Sequence, residues 1–126
     1  MKRFIFLMLM GLSFNSFAHD ESGILGTDAS SVDYLVVTCS ADGDMIPDKM
    51  YFKISTLNAT PLVSAQVAKG NFVTNVTSNR GGIEVRQGEG EYRITVDKNG
   101  TGFVSYSIEY HCESGGEHTE TTIEHR

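Results

Sequence analysis

A period of two runs through this sequence. From Val32 onward, short runs alternate apolar and polar residues, and turns rich in Gly, Asn and Asp interrupt them about every 8–12 residues. Leu35, Val37 and Cys39 alternate with Val36 and Thr38. Further strand-like runs cover residues 50–57, 62–68, 71–77, 83–86, 92–96, 103–112 and 118–125. Lys98-Asn99-Gly100 is a turn of the kind hairpins use. No stretch of useful length keeps a helical period. This pattern predicts an all-β chain, an antiparallel β-sandwich of seven to eight short strands.

The run from Phe103 to Cys112 fixes its own faces. Val104, Tyr106, Ile108, Tyr110 and Cys112 fall on one side; Ser105, Ser107, Glu109 and His111 fall on the other. The first side is expected to face the core. Cys39 lies on the apolar side of its own strand, with Leu35 and Val37. Cys39 and Cys112 are the two cysteines of the chain. A lone pair, both facing inward and far apart in sequence, reads as one disulfide.

That reading needs an oxidising compartment, and the N-terminus points to one. Lys2 and Arg3 precede an apolar run from Phe4 to Leu12, and Ser16-Phe17-Ala18 offers small residues at the two positions a signal peptidase reads. Residues 1–18 are expected to be a cleavable signal peptide of bacterial type, placing the protein in the periplasm or outside the cell. The apolar run is shorter than the roughly 20 residues a membrane helix needs, so membrane insertion is not expected. Residues 19–31, polar and small, are expected to form a flexible arm, and residues 32–126 the β-sandwich domain.

Charge narrows the partners. Loss of Lys2 and Arg3 leaves eight of ten basic residues against 16 acidic ones, a net charge of −8. Nucleic acid and anionic membrane select basic patches, so neither is an expected partner. An acidic surface suits cations and basic proteins, and it also keeps a protein soluble.

The opening run Val32-Asp33-Tyr34-Leu35-Val36-Val37 resembles the first strand of bacterial pre-peptidase C-terminal (PPC) domains, which are small secreted β-sandwiches. Gly90-Glu91-Tyr92-Arg93-Ile94-Thr95-Val96, followed by Tyr106-Ser107-Ile108, resembles their last two strands. The similarity spans residues 32–112. It implies the same fold, export, and a non-catalytic accessory or binding role.

The histidines are unevenly placed. His19 would be the first residue after cleavage, and His111, His118 and His125 fall within the last sixteen positions. An N-terminal His offers an α-amine and an imidazole to one metal ion. A second His would make a nitrogen-rich site suited to copper, with zinc next. The expected ligands are His19 with His111 or His118, and Glu113 or Glu120 as an oxygen donor. The alternative is that these are plain surface histidines. His118 and His125 are seven apart and so fall on opposite faces of a strand. Asp42, Asp44 and Asp48 form a second candidate, since alternating aspartates around Gly43 can wrap calcium; Asp and Gly are also common in turns for backbone reasons alone.

No catalytic residues are expected. The chain has no Gly-x-Ser-x-Gly elbow, no His-Glu-x-x-His pair and no phosphate-cradling glycine loop before a helix. The leading expectation is a small exported, non-enzymatic protein binding a transition metal. The alternative is a metal-free structural or protein-interaction module.

Overall fold

The computed structural model describes residues 19–126. The expected signal peptide, residues 1–18, lies outside them. Nine antiparallel strands make up the described chain: β1 (His19–Leu25), β2 (Val32–Ser40), β3 (Lys49–Thr56), β4 (Val63–Lys69), β5 (Phe72–Thr77), β6 (Ile83–Val85), β7 (Gly90–Lys98), β8 (Val104–Ser114) and β9 (Glu117–His125). No helix occurs among the described residues.

The strands join in the order β5-β4-β7-β2-β9-β8-β3-β6, with β1 paired to β8, and the sheet nearly closes into a barrel. The strand that makes this possible is β9. Its first residues, Glu117–Thr119, pair with Ser114–Cys112 of β8; from Glu120 to His125 it pairs instead with Ser40–Leu35 of β2. What would be two sandwich layers are therefore stitched into one sheet.

The all-β antiparallel fold is as the periodicity requires, with one strand more than expected. The additional strand is β1. Residues 19–25 were expected within a flexible arm, yet each pairs with β8, from His19↔Tyr110 to Leu25↔Val104. The physical reason is the edge that β9 leaves bare when it departs from β8. Open backbone donors and acceptors there take up a strand that carries little apolar periodicity of its own. Leu25 enters the core, and of the expected arm residues 26–31 lie outside a regular element, where Ser31 N–H donates to Asp28 O and Thr27 O accepts from Gly102 N–H.

The inward faces follow the alternation. Val104, Tyr106, Ile108, Tyr110 and Cys112 are all buried, and they meet Leu35, Val37, Phe52, Ile54, Tyr92 and Ile94 in one core. Cys39 and Cys112 are bonded, with Cα atoms 5.6 Å apart. The disulfide ties β2 to β8 at the place where β9 crosses between them, since Cys39 lies opposite Thr121 and Cys112 opposite Thr119. Thr121 reinforces the crossing: its hydroxyl accepts from Cys112 N–H and donates to Thr119 O, each over 3.0 Å.

β1 is held from a second side. Tyr106 lies so close over Gly23 that a Cβ there would come within 2.4 Å of the Tyr106 hydroxyl. That hydroxyl donates to Asp33 on β2. His125, at the end of β9, meets Glu21 of β1 at 2.7 Å.

Candidate metal site

On the outer face, β3, β8 and β9 lie side by side. Register places Tyr51 opposite His111, Lys49 opposite Glu113, and Glu113 opposite His118. Their neighbours Met50, Phe52, Tyr110, Cys112 and Thr119 are buried on the inner side. Alternation thus turns Lys49, Tyr51, His111, Glu113 and His118 outward together.

These side chains cover one another rather than standing in solvent. The Tyr51 and His111 rings stack with centroids 4.9 Å apart, and those of His111 and His118 at 4.3 Å. Gly82 leaves room for this row, because a Cβ on it would fall about where the Tyr51 ring lies. The His111 and Glu113 side chains retain only 12% and 15% of their exposure. Burial raises the Tyr51 pKa, helped by the charge of Glu109.

Glu113 is shared. Its Oε2 lies 2.5 Å from His111 Nε2, and its Oε1 lies 3.5 Å from Lys49 Nζ. Lys49 is closer to Glu84 on β6, at 3.0 Å. The hydrogen bond to Glu84 raises the Lys49 pKa against desolvation, and the same bond lowers that of Glu84. The second ring nitrogen of His111, Nδ1, is buried without a hydrogen-bond partner. Buried polar atoms normally find one, so an orphaned imidazole nitrogen is a vacant donor position.

His111, Glu113 and His118 each bring one ligand atom to within 4.8 Å of the others. Two imidazoles and a carboxylate suit zinc or copper. Three protein ligands leave a further coordination position for water or a second molecule.

The structure separates the other candidates from this group. His19 lies opposite Tyr110, and their rings stack at 5.5 Å. Residues opposite one another share a face, and Tyr110 points inward, so His19 belongs to the face away from His111. The sequence pairs His19 with His111 or His118; this register sets His19 apart from His111, and His19 is not in the converging group that His118 joins. His19 and His118, the alternative pairing, both line a cleft of about 660 Å³ together with Asp42 and Glu120. Glu120 shares the parity of His118 but sits two residues, about 7 Å, further along β9, where that strand has passed to β2. His125 is taken by Glu21.

The three aspartates are not brought together either. Asp42 and Met45 close a tight backbone turn around Gly43 (φ 63°). The Asp48 carboxylate accepts the N–H of Gly115 at 3.2 Å, holding the β8–β9 turn. Among the described residues the His–Glu–His set is the one converging group of potential ligands. Sequence reasoning named all three of its members. It missed Lys49, Tyr51 and Glu84, although Lys49 and Tyr51 already alternate with apolar Met50 and Phe52.

Fold and site together define a small all-β protein with one cross-sheet disulfide and a His–Glu–His group on its outer face. No protein-family model matches the chain, and no curated protein does. Among solved structures, it is similar to the Yersinia pseudotuberculosis-derived mitogen, with a TM-score of 0.56 and 9% identity over 75% of this chain and 85% of the mitogen. At that identity the likeness is one of fold. The disulfide is compatible with an extracellular location, and among the described residues no helix is long and apolar enough to cross a membrane.

Proposed function

We propose that this is an exported, non-enzymatic protein that binds a divalent transition-metal ion through His111, Glu113 and His118. The observation that carries the reading is the convergence of these three ligand atoms within 4.8 Å on a half-buried face. Zinc and copper are the ions the donor set favours. Export to the periplasm or the medium is supported by the signal-like residues 1–18 and the Cys39–Cys112 disulfide. The resemblance of residues 32–112 to PPC domains also favours a binding module over an enzyme.

The test is calorimetric titration with Zn²⁺ and, separately, Cu²⁺. Binding of one ion per chain is expected, abolished in His118→Ala and in Glu113→Gln with the fold intact by circular dichroism. His19→Ala is expected to bind as the parent does. Equal affinity of His118→Ala and parent would sink the site.

A second reading, a metal-free protein-interaction module, draws on the likeness of fold to a mitogen. It predicts no metal uptake and no loss of stability on adding a chelator.

A further inference from the structure

Beside the three ligands stands a cation that the metal reading leaves unexplained. Lys49 Nζ lies 3.5 Å from Glu113 Oε1, on the same carboxylate whose other oxygen faces His111. Its side chain is only 13% exposed. An ion bound by His111, Glu113 and His118 would bring two positive charges beside an ammonium with little room to withdraw. In a partly buried setting such repulsion is poorly screened. Left to itself, Lys49 would also compete with the ion for Glu113.

Glu84 relieves both effects. Its Oε2 takes Lys49 at 3.0 Å, closer than Glu113 does, and its Oε1 is fixed by Arg86 at 2.9 Å. β6 contributes just three residues to the sheet, and Glu84 lies opposite Tyr51. It reaches Lys49 from the side of β3 away from β8.

We infer that Glu84 is a positioning residue for the metal site: by holding Lys49 it leaves the Glu113 carboxylate available, so that Lys49 and Glu84 together set how tightly the site takes a divalent ion. This rests on the metal reading above. Glu84 touches no ion itself and acts through Lys49.

A double-mutant cycle on the full-length protein, read as Zn²⁺ dissociation constants, tests it. Lys49→Met should bind Zn²⁺ about tenfold tighter and Glu84→Gln about tenfold more weakly, the size of coupling expected for groups in contact. In the Lys49→Met background, Glu84→Gln should change affinity by less than about twofold, because its target is gone. Glu84→Asp, which keeps the charge, should restore most of the affinity. Should Lys49→Met fail to fold, Lys49→Gln replaces it with the same expectation.

An equal loss from Glu84→Gln with and without Lys49 would overturn the inference, since Glu84 would then act directly. So would parental affinity in every Lys49 and Glu84 variant while His118→Ala loses Zn²⁺; that outcome leaves the three-ligand site standing. Absence of Zn²⁺ binding in the parent would remove the site and this inference with it.

Discussion

Tyr106 donates its hydroxyl to Asp33 over 2.7 Å, fastening β8 to β2 between residues 73 positions apart. Burial first, and then that bond, push the Tyr106 pKa well above its ordinary 10.0. Burial does the same, less strongly, to Tyr51, Tyr92 and Tyr110.

A tyrosine that holds its proton more tightly folded than unfolded stabilises the fold fully below its unfolded pKa. That contribution is lost as pH rises toward the folded value. Stability to urea should therefore change little between about pH 8 and 9.5 on account of these residues and fall steadily above about pH 10. Absorbance at 295 nm should show their ionisation arriving late, together with unfolding. Early ionisation of all five tyrosines in a folded protein would contradict the burial.

Gly82 carries a second expectation. A Cβ there would lie 2.2 Å from the Tyr51 hydroxyl and 2.3 Å from its ring. Gly82→Ala should push the ring aside and cost His111 its stacking partner. Zn²⁺ affinity should fall by between about twofold and tenfold, the scale of one lost ring contact of about 0.5–1.5 kcal/mol. Calorimetry beside a thermal melt separates that loss from general destabilisation.

The disulfide should matter for stability. Its cysteines are 73 residues apart, and closing a loop of that size stabilises a fold by about 4 kcal/mol in the chain-entropy description. Cys39→Ser/Cys112→Ser, or the parent under dithiothreitol, should show a lower denaturant midpoint. A midpoint unchanged by the reductant, with reduction verified by thiol assay, would contradict this.

Much of the fold was legible because strand alternation is a direct record of burial. The faces of β8 and the partnership of Cys39 with Cys112 follow from period two and from inward orientation. β1 was not legible. Its residues, His19 to Leu25, carry hardly any apolar alternation, and their place is set by an edge that another strand vacates. The passage of β9 from β8 to β2 is likewise a fact of pairing, which no local pattern encodes. For the site, residue chemistry singled out His111, Glu113 and His118. Register decided the rest: it placed His118 opposite Glu113 and turned His19 to the other face. Lys49 and Glu84 escaped notice because an ion pair between strands has no signature along the chain.

β9 also determines what a shortened chain would become. Without residues 117–126, Leu35 to Ser40 of β2 would lose the partner on one side, and so would the end of β8. Leu35, Val36 and Val37 are all buried in the intact protein. Such a fragment would carry two sticky, unprotected borders, one of them strongly apolar, each ready to recruit a strand from a neighbouring molecule. The last strand thus serves as a guard against self-association as much as a wall of the barrel.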